Sequence, residues 1–220
     1  MSRRIVVLTA GLSRPSSTRL LADQIAEAVT AQVTARGEGL EVEVIELREL
    51  AHDLATTMTT GGMPTPAVTA ARDLVSSADG LIAVTPVFTA SFSGLFKMFI
   101  DVLDTDALNG MPVLIAATAG TARHQLVLDH ALRPLFSYLR AVVVPTGVFA
   151  ATEDFGGGGS AELGRRVARA ASELAALVVA ETGAVGGFVQ DLEPARRRSS
   201  GTTLEEDVTD FEDLLSGLGQ

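Results

Sequence analysis

Residues 5–21 read IVVLTAGLSRPSSTRLL, and this stretch decides the fold. Ile5–Leu8 is an apolar run of strand length, ended by Thr9-Ala10-Gly11. Ser13, Arg14, Pro15, Ser16, Ser17 and Thr18 then crowd together before an apolar-periodic segment. A buried strand that runs through a polar turn into a helix leaves the first helical N–H groups without partners. Those donors and the positive end of the helix dipole make a site for an anion, and small hydroxyl side chains leave room for a phosphate. The same residues equally suit an ordinary N-cap, with Pro15 at the helix entrance. The stretch is not a P-loop, because G-x-x-x-x-G-K-[ST] is missing. It is not a dinucleotide fingerprint either, because Gly11 lacks the second and third glycines of G-x-G-x-x-G.

Composition narrows the function classes. A chain of 220 residues suits one α/β domain plus an appendage. Apolar residues make up 47%, enough for a sizeable core. The net charge of −10 opposes non-specific binding to nucleic acid or an anionic membrane, both of which need a basic face. The one basic cluster, Arg196–Arg198, reads as a solvated loop. Zero cysteines remove disulfides, thiolate nucleophiles and Cys-ligated metals, and fit a cytoplasmic protein. His52, His124 and His130 form no H-x-x-x-H pair, so no metal site is expected. Arg3 and Arg4 before an apolar run imitate a signal peptide, but Ser13-Arg14-Pro15 ends the run without a cleavage region. No apolar run of membrane-spanning length appears.

Further along, residues 19–36 carry apolar side chains at helical spacing and 40–47 alternate Val/Leu with Glu, as an edge strand would. Residues 48–54 suit a short helical turn, and 55–66 (ATTMTTGGMPTP) a loop. Helix is predicted over 67–78, 92–103, 122–139 (bent at Pro134) and 161–181. Strands are predicted over 80–84, ended by Thr85-Pro86, over 112–117, and over 142–144. Residues 149–160, with Gly156–Gly159, suit a flexible connection. Five near-continuous apolar strands alternating with helices call for a doubly wound α/β fold, a five-stranded parallel sheet of order 2-1-3-4-5. Ligands of such sheets bind beyond the strand carboxyl ends at the switch point, where 11–18, 85–93 and 119–124 would converge. Pro86 stiffens the second loop, Gly94 allows a close approach, Phe88 offers an aromatic face, and 86–89 present main chain to a flat heterocycle. A phosphate loop beside two planar-ligand loops describes an FMN site. Phe92 and Phe96 fall on the buried face of the predicted helix and read as core.

The motifs resemble those of the NADPH-dependent FMN reductase family, which has a flavodoxin-like fold. Gly11-Leu12-Ser13-Arg14-Pro15-Ser16-Ser17 is similar to the family's G-S-x-R-x-x-S loop. Thr85, Pro86, Phe88, Ser91, Gly94, Lys97 and Asp101 match its T-P-x-Y-x-x-S-x-x-G-x-L-K-x-x-x-D block, with Phe88 in place of Tyr and Phe96 in place of Leu. The resemblance spans about residues 3–181. It implies that Ser13, Arg14, Ser16, Ser17 and Thr18 hold the FMN phosphate. Pro86, Val87, Phe88 and Thr89 would line the isoalloxazine and ribityl chain, and Ala119, Gly120 and Thr121 would border the pyrimidine end. Lys97 and Asp101 are expected to form a helix pair at a subunit interface. His124 and Asp129 are given no catalytic role, because the flavin carries the hydride chemistry.

The expected activity is hydride transfer from NADPH or NADH to FMN, supplying reduced flavin to a partner monooxygenase. The alternatives are an FMN-containing quinone or azo reductase, and a flavodoxin-like electron carrier. The carrier would need a T/S-x-T-G-x-T loop, which is missing. Arg14, Arg19 and Arg123 are candidates for the pyridine-nucleotide phosphate, and a homodimer or homotetramer is expected. Residues 1–182 form the FMN-binding domain and 183–220 a partly flexible tail. In the tail Thr203 and Glu206 make a capping-box pattern, with Val208, Phe211, Leu214 and Leu215 as an apolar stripe.

Overall fold

The computed structural model describes residues 2–156, 159–180 and 198–201. Its first strand, β1 (Ser2–Thr9), buries Ile5 to Leu8 on both faces. β2 (Gly39–Glu46) runs parallel to one side of it, from Ser2↔Gly39 to Thr9↔Glu46. β3 (Gly80–Phe88) runs parallel to the other side, from Ile5↔Gly80 to Thr9↔Val84. β4 (Ser91–Phe92) turns back antiparallel on the end of β3, β5 (Pro112–Ala119) follows on its far side, and β6 (Val142–Val143) and β7 (Val148–Ala151) both pair with β5. The order β2-β1-β3-β5-β6 is the expected doubly wound arrangement. The sheet has seven strands where five are predicted, because β4 is an added hairpin arm and the last edge position is split into β6 and β7.

Side-chain alternation along the strands makes two cores. Ile5, Val7, Ile82, Val84 and Leu114 pack under α1 (Ser17–Thr34) and α6 (Ser160–Ala180), which contribute Leu21, Ile25, Val29, Val167 and Leu174. Val6, Leu8, Leu81, Val113 and Ile115 pack under α2 (Ala51–Thr59), α3 (Pro66–Ser76), α4 (Gly94–Asp101) and α5 (Arg133–Tyr138), around Phe96, Phe99 and Phe136. Phe96 meets Phe136 edge-on at 6.3 Å. Each such fully buried ring contributes about 1.5–3 kcal/mol by leaving water.

Several boundaries differ from the sequence reading, each for a local reason. The Thr-rich stretch predicted as loop is helical to Thr59, since Thr56, Thr57 and Thr59 donate their hydroxyls to the carbonyls of His52, Asp53 and Ala55 at 2.8–2.9 Å. β3 runs on past Thr85-Pro86. Val84 turns its carbonyl toward β1, accepting from Ala10 N–H at 3.0 Å. Pro86, two residues on, faces the same side beyond the end of β1, where no N–H is required. Phe92 lies on β4 and α4 begins at Gly94 behind the Ser93 cap, although Phe92 still packs 6.1 Å from Phe96. The predicted bent helix over 122–139 is a 3₁₀ turn (Ala122–His124), a π turn (Leu128–Leu132) and α5, with Pro134 in the first turn of α5, where its missing N–H costs least.

The connection predicted as flexible from Phe149 begins with β7 and a 3₁₀ turn (Thr152–Phe155). Between β6 and β7 the ladder is broken, and side chains take over its backbone groups. Arg133 donates to Val144 O and Pro145 O at 3.1 and 3.0 Å. Glu173 accepts from Thr146 N–H at 2.8 Å and from Thr146 Oγ1–H at 2.7 Å. The tail readings over 183–220 lie outside the described residues, except at 198–201.

Glu173→Ala strips both acceptors from the half-buried Thr146, so unfolding in urea should show a loss of about 2–3 kcal/mol. Glu173→Gln, which keeps one carbonyl acceptor, should lose less than half as much.

Candidate active site

The loops that leave β1, β3 and β5 at their carboxyl ends meet around one cavity of about 330 Å³. Leu12, Ser13, Ser16, Ser17 and Thr18 form one wall, Pro86, Val87 and Phe88 the second, and Thr118, Ala119 and Gly120 the third. Thr152, just after β7, closes the remaining side.

At the first wall Ser16 caps α1, its Oγ accepting from Arg19 N–H at 3.2 Å. The first helical rung is Leu20 N–H to Ser16 O at 3.0 Å, so the amides of Ser17 and Thr18 precede the ladder and remain donors for a ligand. Gly11 is required by packing, since a Cβ there would lie 2.1 Å from Ser16 Oγ. The buried Thr18 hydroxyl is 2.8 Å from that of Thr118, tying the helix start to the end of β5.

The second wall rests on the β3–β4 hairpin, whose two-residue tip is Thr89 (φ 49°) and Ala90 (φ 66°). Glycine or asparagine usually takes such left-handed positions. The turn is pinned from beneath by Thr85, whose Oγ1 accepts from Ser93 N–H and donates to Pro86 O, both at 3.0 Å. Phe88 is left 46% exposed at the rim. On the third wall a Cβ on Gly120 would meet no heavy atom within 4 Å, so the protein leaves that space open. A Cβ on Gly94 would likewise meet no heavy atom within 4 Å among the described residues.

Nine of the twelve residues singled out in the sequence thus share one cavity: Ser13, Ser16, Ser17, Thr18, Pro86, Val87, Phe88, Ala119 and Gly120. Arg14, Thr89 and Thr121 are not on its wall. Arg14 is 73% exposed in its side chain and pairs with Glu49 at 3.1 Å. Thr89 forms the hairpin tip, and Thr121 precedes the 3₁₀ turn. Leu12, Thr118 and Thr152 line the cavity without having been singled out. Thr118 had a signal in its place at a strand end before Ala119-Gly120, whereas Thr152 depends on β7, which the sequence hid.

Among the described residues no ionisable side chain lines the cavity. Arg19 is held by Asp23 at 2.7 Å and Glu46 at 2.5 Å. The Asp23 hydrogen bond, helped by the charges of both carboxylates and opposed by burial, raises its guanidinium further above the ordinary value. Arg123 has no carboxylate partner among the described residues. Asp129 pairs with Arg133 at 3.0 Å, and Lys97 with Asp101 at 2.5 Å, so both are helix pairs. Among the described residues no group of His, Asp and Glu could hold a metal ion, and no helix is long and apolar enough to cross a membrane.

Comparison with known proteins agrees with this geometry. The profile of the NADPH-dependent FMN reductase family matches residues 3–156. FMN reductase (NADPH) of Pseudomonas aeruginosa is 41% identical over 154 residues, 69% of this chain and 78% of that one. NADH-dependent FMN reductase SfnE of Pseudomonas putida is 45% identical over 146 residues, 66% of this chain and 75% of that one. The X-ray structure of an oxidoreductase from Corynebacterium diphtheriae superposes with a TM-score of 0.79 at 64% identity, over 81% of this chain and 98% of that one. A match of this extent, on a doubly wound sheet with both sequence motifs at one cavity, places the chain in the NADPH-dependent FMN reductase family.

Proposed function

We propose that FMN occupies the cavity at the ends of β1, β3 and β5, and that the reduced flavin formed there passes to a separate flavin-dependent monooxygenase. The protein itself is an NAD(P)H-dependent FMN reductase, with FMN and a nicotinamide as its redox pair. The observation that carries the placement is the division of the cavity into two ends. One end holds the hydroxyls of Ser13, Ser16, Ser17 and Thr18 with the free amides of α1, donors suited to a phosphate. The other holds Pro86, Val87, Phe88, Ala119 and Gly120, with the open space at Gly120, which suits a flat ring.

The residues present therefore fit FMN. When bound, the flavin supplies the hydride-accepting chemistry, and the protein supplies binding and orientation. Thr18, held by Thr118, fixes the phosphate end relative to β5. The Thr85-pinned hairpin sets the height of Phe88 over the opening. Arg14, Thr89 and Thr121 act from outside the wall, by shaping the loops that carry it. Reduced FMN is spent by enzymes that activate oxygen with it, which supports a monooxygenase as its consumer. We also infer cytoplasmic residence, for which the lack of cysteine speaks, and a homodimer or homotetramer, for which exposed Leu126 and Tyr138 offer apolar surface.

NADPH oxidation by the purified protein should rise with added FMN. Turnover that ignores FMN and follows an added quinone would instead show a quinone reductase. Gly120→Val should weaken FMN binding by at least about tenfold, or ~1.4 kcal/mol. Its folding stability should stay within about 0.5 kcal/mol, because the new side chain enters empty space. Unchanged FMN affinity would remove the flavin from this cavity.

Of the three candidates for the nucleotide phosphate, Arg123 is the one that no carboxylate holds among the described residues. Arg123→Ala should lower the ratio of kcat/KM for NADPH over NADH by roughly fivefold, about 1 kcal/mol. An unchanged ratio would exclude the role.

A further inference from the structure

The segment Arg198–Gly201 lies against the α3–α4 side of the molecule, where the Arg198 guanidinium donates to Ala78 O. Gly201 has φ 64°, and a Cβ on it would lie 2.6 Å from Arg72 Nη2 and 2.8 Å from Asp104 Oδ2. Arg72 and Asp104 both line a cavity of about 460 Å³, together with Met58, Gly62, Asp101, Val102, Leu103 and Thr105. Gly201 thus stands at the mouth of that cavity, in a conformation and a space that only glycine fits without strain. Met58 stands 47% exposed on its wall, whereas Arg72 is 8% exposed and its Nε is enclosed, without an acceptor among the described residues.

Residues 202–220 follow directly. They carry Leu204, Val208, Phe211 and Leu215 at i, i+4, i+7 and i+11, one face of a helical repeat. Six carboxylates and no Lys or Arg fill the remaining pattern, and Asp207 falls beside the apolar face. Leu204 is three residues from Gly201, within about 10 Å of extended chain.

We propose that residues 202–220 dock on this cavity of their own subunit. The apolar face covers Met58 and Leu103. A lone amphipathic segment of this length is marginal in water, so docking and ordering go together. The contact is remote from the flavin cavity in residue content, and flavin binding does not enter the test.

The absence of cysteine makes the test clean. In the full chain, Met58→Cys is combined in turn with Leu204→Cys, Val208→Cys, Phe211→Cys and Leu215→Cys, then oxidised and resolved by non-reducing electrophoresis and intact mass. At least one pair should close a disulfide within a single chain. The same tail cysteines paired with Tyr138→Cys, an exposed control on α5, should not. Bridges only between two chains would overturn docking on the same subunit in favour of exchange with a second copy. Equal bridging to position 138, or none at position 58, would overturn the docking altogether. Hydrogen exchange gives a second measurement. Phe211→Ser should speed exchange over 51–59 and 101–105 by about fivefold or more, and unchanged rates would overturn the proposal.

Discussion

The last rung between β1 and β3 is the hydrogen bond from Ala10 N–H to Val84 O at 3.0 Å, and the site depends on the chain parting there. β1 continues into α1 on one face of the sheet, while β3 continues toward α4 on the other. Two neighbouring parallel strands whose helices go to opposite faces must open a crevice at their carboxyl ends. That crevice faces the one part of α1 whose N–H groups have no internal acceptor. Topology and unsatisfied backbone donors therefore coincide at the crevice, which is why the proposed FMN phosphate is placed there.

The fold was legible because its signals were long and redundant. Buried strands on a doubly wound sheet read as unbroken apolar runs, and Ile5–Leu8, Gly80–Val84 and Pro112–Ala117 are of that kind. The errors fall where side chains replace a backbone signal. Thr56, Thr57 and Thr59 fold their hydroxyls onto helical carbonyls, so a Thr-rich helix looks like a loop. Arg133 and Glu173 serve the groups left by the broken edge strand, and neither partner is close in sequence. Composition alone could not show that β7 resumes after Pro145, and Thr152 was lost from the site with it.

The site was legible to the extent that its residues sit on strand ends. Position beyond a parallel strand fixes which loops converge, and the motif spacing assigned the walls. Side-chain direction follows different physics. Arg14 was an attractive phosphate ligand by charge and placement, yet Glu49 holds it at the surface, and Arg48, donating to Ser13 O at 2.8 Å, braces the same loop from outside. Arg14 and Arg19 are both engaged by carboxylates, and neutral donors line the cavity among the described residues. Such a wall offers an anionic group hydrogen bonds and a helix dipole rather than a fixed counter-charge.

The second wall shows how the protein sustains a costly geometry. Thr89 and Ala90 both lie in the left-handed region, at about 1–2 kcal/mol per residue for side-chain-bearing residues. A Thr85 hydroxyl that grips Pro86 O and Ser93 N–H, the Val87↔Phe92 and Phe88↔Ser91 pairings, and the Ser93 cap of α4 together over-determine the turn. The hydrogen bonds of Thr85 and the Ser93 cap are buried, so the tip is held largely by groups that do not line the cavity. Left-handed tips match the right-handed twist of the arms they join. A relaxed tip would splay β4 and tilt Phe88 away from the opening. The strain is thus offset by buried hydrogen bonds one layer below the site, and what it secures is the position of an exposed aromatic ring.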